Sequence, residues 1–286
     1  MPTSPDDSRV TGSEGCGILE HMTRIVDIHT HVFPDELAPG AIAALLEAAA
    51  GTLTARYDGT VGGLVGVMDR AGVAISVTQP VATRPDQVRS INDWAASTAS
   101  DRIVPFGAMH PQLEDPGTEV ARMASLGLKG FKMHPEYQAF VPHDPEMAAI
   151  YAAAIRHRMV ILFHAGADVI HPTIRGTPES FATLLDTWPE LTVVLAHLGG
   201  FKEWLGVAEH IAGRDVWLDT AYTLGHLPDG ELVDLVRAHG ADRVLFGSDG
   251  PWTDPAEEAA HLRSVGLSDA EVDGVLGGNA ARLLGL

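Results

Sequence analysis

The sequence predicts an α/β chain closed into a parallel (β/α)8 TIM-like barrel. Three observations carry that prediction. Eight short β-rich runs alternate with helical pattern from Ile25 onward. The runs are continuously apolar, as strands buried on both faces are. Six of the fourteen histidines fall at the ends of those runs, where a parallel barrel places its chemistry. An open doubly wound sheet also alternates strands and helices. It is the weaker reading, because no Gly-x-Gly-x-x-Gly phosphate turn follows the first strand.

The first unit is Arg24-Ile-Val-Asp-Ile-His29-Thr-His31-Val-Phe-Pro34. It reads as a buried strand ended by proline. Residues i and i+2 of a strand share a face, roughly 6.6–6.8 Å apart, so His29 and His31 can converge on one ion. Helical pattern follows over 39–51 and over 61–72, the second closed by a glycine. The second strand is the β-branched run 73–80, followed by a helix over 87–100. The third strand, 104–111, ends in His110, and the helix 116–126 comes after it. The fourth, 128–135, carries Lys132 and His134.

The second half keeps the rhythm. A helix over 145–158 precedes the fifth strand, 160–166, with His164. A helix over 178–188 precedes the sixth, 191–200, with His197. A helix over 201–212 precedes the seventh, 216–222, with Asp219. A helix over 231–239 precedes the eighth, 244–251, with Asp249. Helices over 255–265 and 269–284 close the chain. His157, His210, His239 and His261 fall on helices and read as solvent-facing. His143, His171 and His226 fall in loops that should cover the rim.

Composition bounds the rest. A chain of 286 residues, 45% hydrophobic, fits one barrel of about 250 residues. A net charge of −19 repels phosphate backbones and anionic lipid, which argues against nucleic-acid and membrane partners. The lone cysteine, Cys16, allows no intrachain disulfide, so a reducing, cytoplasmic setting is expected. No apolar run reaches the roughly 18 residues of a membrane span. Residues 1–21 are polar and lack the basic and apolar regions of a signal peptide. They read as a disordered extension or a start placed too early, with Met22 as the alternative, and 22–286 as the barrel domain.

Imidazole and carboxylate ligands suit zinc, with manganese, iron, cobalt and nickel as alternatives. One divalent ion can take His29, His31, His164 and Asp249 and keep an open position for water. Such an ion lowers the pKa of its water from 15.7 to about 7 in favourable cases. Asp249 then accepts a proton and passes it on. His197 stands beside the open position, to polarise a substrate carbonyl or to bind a second ion. Asp27 shares the face of His29, as an orienting partner or a buried structural carboxylate. Lys132 has three readings: carboxylated and bridging two metals, cationic and holding a substrate carboxylate, or paired with an acid such as Asp219. The cationic or ion-paired forms are preferred. His134, His110 and Arg175 complete the candidates for a second metal or for substrate contact.

With these residues in view, the chain resembles the amidohydrolase superfamily, and more closely its amidohydrolase-related (amidohydrolase 2) branch. The motifs are Val-Asp-Ile-His29-Thr-His31, Gly130-Phe-Lys132-Met-His134-Pro135, Phe163-His164-Ala-Gly166, Ala196-His197-Leu-Gly-Gly200, Gly247-Ser-Asp249-Gly-Pro251 and Gly278-Asn279-Ala-Ala-Arg-Leu-Leu. The resemblance implies a distorted barrel of the metallo-dependent hydrolase type. It also implies His29, His31, His164 and Asp249 as ligands, with His197 as ligand or catalytic residue. Barrels of this branch are often dimers, and the sequence carries no interface signal of its own.

Three functions compete. The first is a metal-dependent hydrolase acting on the amide, lactone or ester bond of a small, carboxylated substrate. The branch also contains decarboxylases similar to aminocarboxymuconate semialdehyde decarboxylase, so the second is a non-oxidative decarboxylase of an aromatic or unsaturated acid, with Lys132 or Arg175 holding a retained carboxylate. The third, a non-catalytic binding barrel, is remote, because a dead homologue usually loses a ligand. The sequence reading places hydrolysis first.

Overall fold

The computed structural model describes residues 24–286; the expectation for residues 1–21, Cys16 included, lies outside the described residues. Among the described residues nine strands follow in order: β1 (Ile25–Thr30), β2 (Val73–Thr78), β3 (Ile103–Pro105), β4 (Gly107–Ala108), β5 (Gly130–Met133), β6 (Val160–Phe163), β7 (Thr192–Leu195), β8 (Trp217–Asp219) and β9 (Val244–Leu245). All pair in parallel, β1 to β3 in one ladder and β4 to β9 in another. Two seams join the ladders. Phe106 donates its N–H to the Thr78 carbonyl at 3.0 Å, and Ile28 and Asp249 donate across the other seam to Phe246 and His29 at 2.8 and 2.9 Å. The ring is therefore closed, and the predicted third strand is the pair β3 and β4, broken at Phe106.

The helices are α1 (Ala38–Ala48), α2 (Val61–Ala71), α3 (Val88–Ser97), α4 (Pro116–Ser125), α5 (Pro135–Gln138), α6 (Ala148–His157), α7 (Pro178–Thr187), α8 (Trp204–His210), α9 (Asp229–His239), α10 (Pro255–Leu262), α11 (Asp269–Asp273) and α12 (Asn279–Leu284). Local chemistry sets several boundaries. Thr60, Asp115 and Thr177 cap the N-termini of α2, α4 and α7 through their side-chain oxygens. Gly72 ends α2 in the left-handed conformation at φ 69°. The large apolar cluster lies between strands and helices. A smaller one joins Ile75, Val77, Phe106, Leu162, Val194 and Leu245 across the ring and rests on Ala280 and Leu284 of α12.

Three expectations are corrected. The helix predicted over 269–284 is interrupted by a π turn at Gly274–Gly278. There Gly277 passes so close to β1 that a Cβ would lie 1.9 Å from the Arg24 carbonyl oxygen. The short helix α5 begins where the fourth strand was expected to end, because Pro135 opens it and His134 caps it. His239 is buried, not solvent-facing, and its Nε2 donates to the Val216 carbonyl at 2.9 Å. It faces the start of β8 and serves packing.

Candidate metal centre

The C-terminal strand ends form one rim, and the ring brings distant residues together there. His29 lies in β1, His31 just beyond it, Lys132 in β5, His164 after β6, His197 after β7, Asp219 in β8 and Asp249 after β9. His31 Nε2 lies 3.1 Å, and His29 Nε2 3.4 Å, from Asp249 Oδ1. His197 Nε2 lies 3.0 Å from His164 Nδ1, and the rings of His29 and His197 are 5.5 Å apart. The backbone is bent to present two of these groups: His197 and Asp249 hold φ at 59° and 65°. Non-glycine residues adopt that region at a cost and cluster in it at functional sites.

The outer edge of each ring fixes its tautomer. A carbonyl or carboxylate oxygen only accepts, so the ring nitrogen facing it must donate. His29 Nδ1 donates to Asp219 Oδ2 at 2.9 Å, His31 Nδ1 to the Gln79 carbonyl at 2.8 Å, and His197 Nδ1 to the Ala221 carbonyl at 2.7 Å. His164 Nε2 donates to the Ala167 carbonyl at 3.2 Å. In the neutral form of each ring the inward nitrogen is then a lone pair. Two close pairs face each other, His31 Nε2 with Asp249 Oδ1 at 3.1 Å and His197 Nε2 with His164 Nδ1 at 3.0 Å. Such contacts need a proton or a cation between them. Burial first, and then the neighbouring Lys132, holds the His29 imidazole well below its ordinary pKa. Burial, with His134 and His197 nearby, does the same to His164. In its neutral form each of these imidazoles offers a lone pair toward the Asp249 carboxylate's side of the floor, and imidazole nitrogens with a carboxylate are the ligand set a divalent ion requires. The residues fit the metal.

Asp249 and Lys132 carry the remaining charge. Burial alone would raise the Asp249 carboxyl, but His29 and His31 hold it below the usual carboxylate range. Lys132 is fully buried and its Nζ lies 3.0 Å from His29 Nε2. Burial lowers its pKa to about 8, against the attraction of Asp219 and Asp249. The ammonium makes no direct ion pair with Asp219, whose Oδ1 accepts from the backbone N–H of His197 and Ala221 at 2.9 and 3.0 Å.

The other candidates are placed less centrally. His134 stacks on His164 at 4.1 Å with planes 5° apart. His134, His164 and Asp168 bring ligand atoms within 4.8 Å of one another, but two parallel rings do not aim at one point. His110 is buried, accepts from the Gln112 N–H at 3.2 Å and lies outside the central cavity. Arg175 also lies outside it and gives its backbone N–H to Glu136. Asp27 accepts from Ser248 N and Oγ at 2.9 and 2.6 Å and from the backbone N–H of His29 at 3.2 Å, so it ties β1 to the segment after β9 and also touches the backbone of His29. The sequence reading missed Asp219 as the group that orients His29, and Gln79 as the carbonyl that orients His31. Asp219 ends its strand as the other rim residues do, and that was the available signal.

A cavity of about 560 Å3 opens above these groups. Its floor is polar: His29, His31, Lys132, His164, His197 and Asp249. Its walls are mostly apolar, among them Val81, Ile170, Phe201 and Trp252.

The amidohydrolase family profile matches residues 26–286. Solved structures share the fold. The 5-carboxyvanillate decarboxylase of Sphingomonas paucimobilis superposes with a TM-score of 0.70 at 17% identity, covering 92% of this chain and 99% of that one. A dihydroxybenzoic acid decarboxylase from a Polaromonas species, with bound manganese and 2-nitroresorcinol, gives 0.71 at 17% identity, covering 93% and 98%. An uncharacterized TIM-barrel protein of Bordetella bronchiseptica gives 0.73 at 19% identity, covering 92% and 98%. At these identities the likeness establishes the architecture.

Proposed function

Because the chain belongs to the amidohydrolase family of metal-dependent enzymes, we propose that it is a non-oxidative decarboxylase of a hydroxylated aromatic or unsaturated carboxylic acid. The observation that carries this reading is the cavity. Its walls are largely apolar, and among the described lining residues its one lysine, with no arginine beside it, is Lys132 on the floor where His29, His31 and Asp249 meet. An apolar ring with one anionic group suits that division. The two aromatic-acid decarboxylases of the same fold support it.

A divalent ion held by His29, His31, His164, His197 and Asp249 would act as a Lewis acid toward the substrate's oxygens. We propose zinc or manganese. Both suit imidazole and carboxylate ligands, and manganese is the ion bound in the Polaromonas neighbour. Lys132 holds the anionic end of the acid over the floor. Asp249, kept ionised by its histidines, accepts the proton of the substrate hydroxyl. The carbon–carbon bond to the carboxylate breaks and CO2 leaves. The electron pair left on carbon takes the proton from Asp249. The substrate oxygen regains a proton from solvent, so one proton is consumed per CO2 released. The apolar walls favour neutral CO2 over the carboxylate it came from.

The test is CO2 release from a panel of hydroxybenzoic acids by protein loaded with zinc or manganese, run beside a panel of amides, lactones and esters. Release from at least one acid is expected. Turnover confined to the second panel would replace this reading with hydrolysis, in which water supplies the proton to Asp249.

A further inference from the structure

We infer that the acid taken by this site carries an uncharged apolar body larger than one ring, seated in an arm of the cavity between α1 and α3. The inference rests on the decarboxylase reading for the acid and on the cavity for its body. An apolar cavity of about 150 Å3 is enough to hold benzene. This one measures about 560 Å3, several times what a single-ring acid fills.

The surplus has a place and a chemistry. Leu37 immediately precedes α1, Leu45 lies within it, and Leu53 comes from the segment after it. Ile91 and Trp94 come from α3. These five side chains line the cavity on the side of the first two strand–helix units. Leu37 is 62% exposed, a large apolar side chain left uncovered at the edge of this cavity. Gln87 and Ser90 add neutral polar groups. The lysine on the floor is the only Lys or Arg among the described lining residues, whereas Asp168 and Asp249 supply negative charge. A second carboxylate seated against these side chains would meet no counter-charge among the described lining residues and would give up hydration there. The body is therefore both bulky and uncharged, and a diacid with its second carboxylate in the arm is disfavoured.

Trp94 and Trp252 line the cavity, so binding can be read by tryptophan fluorescence on the metal-loaded protein. The probes are benzoate, biphenyl-4-carboxylate and biphenyl-4,4'-dicarboxylate. Burying the second ring should tighten binding about tenfold or more over benzoate. The dicarboxylate should fall back to the benzoate level or below. Leu45→Asp should shrink the biphenyl-to-benzoate ratio, and Leu45→Ala should shrink it less. Equal affinity for benzoate and the biphenyl acid, or a dicarboxylate that binds as tightly as the monoacid, would overturn the inference. The biphenyl preference in a protein that releases CO2 from no acid would keep the arm and sink the decarboxylase reading. Equal binding together with CO2 release would do the reverse.

Discussion

Asp219 accepts hydrogen bonds from His29 Nδ1 and from the backbone N–H of His197 and Ala221. It thereby sets the tautomer of one ring and the backbone position of another without facing the cavity. Groups that orient a ligand in this way change metal affinity about 10–100-fold when altered. Asp219→Ala should lower affinity by that order, measured by competition with a chromophoric chelator. Unchanged affinity would remove Asp219 from the site. Asp249→Asn keeps the shape and loses the proton-carrying oxygen. Turnover should fall by roughly 10^2–10^4, with the circular-dichroism spectrum unchanged; ordinary activity would take Asp249 out of the mechanism. Outside the candidate ligand set, Glu258 has a buried oxygen, Oε2, without a hydrogen-bond partner among the described residues. Burial, then Asp27 and Asp249, push its carboxyl up to about 8. The folded chain binds a proton there that the unfolded chain releases near its ordinary value of 4.5. The resulting stability is present below that value and is lost as pH rises toward 8. Glu258→Gln should flatten the decline of Tm between pH 5 and 9, by about 2–4 °C for each kcal/mol recovered. Parallel Tm curves would refute this. At this scale the sequence revealed the groups that face inward, since a histidine or aspartate ending an apolar run is visible as such. It could not reveal carbonyl partners such as Gln79 and Ala221, because every residue has a carbonyl and only the folded ring selects which one a histidine meets.

β1 carries His29 and leads directly into His31, and its position depends on the C-terminal turn. Gly277 lies against the Arg24 carbonyl, with room for no side chain. Gly277→Ala should push β1 outward and cost about 1–3 kcal/mol of stability, as overpacking does, read as a lower urea midpoint. A midpoint equal to wild type would mean that the turn yields freely. Most strands and helices were legible as periodic apolar runs with punctuation, such as Gly72 after α2 and Pro178 opening α7. The break at Phe106 and the π turn at Gly274–Gly278 were not. Both arise from contacts between segments far apart in sequence, the first at the seam with β2 and the second against β1. His239 was misread for the same reason. Its helix looks amphipathic, and its partner, the Val216 carbonyl, becomes its neighbour only when α9 packs on β8.

The whole barrel assembles its site from six strand ends, so binding of an ion there and folding are linked. An ion that binds the folded chain alone adds about 2.7 kcal/mol at a hundred times its Kd. Chelator treatment should therefore lower Tm by several degrees, and zinc or manganese should restore it; a Tm indifferent to both would break the link. The closed ring and its rim were legible because eight similar units leave few other arrangements. The cavity's extent beside α1 and α3 was not, since residues far apart in sequence line it together. The measurement that tests the central claim most directly is metal content per chain by plasma mass spectrometry, on wild type and on His29→Ala/His31→Ala purified without chelator. The account predicts one divalent ion per wild-type chain and little in the double variant, with both folded by circular dichroism. Equal metal in the two proteins, or none in wild type after zinc or manganese is supplied, would contradict it.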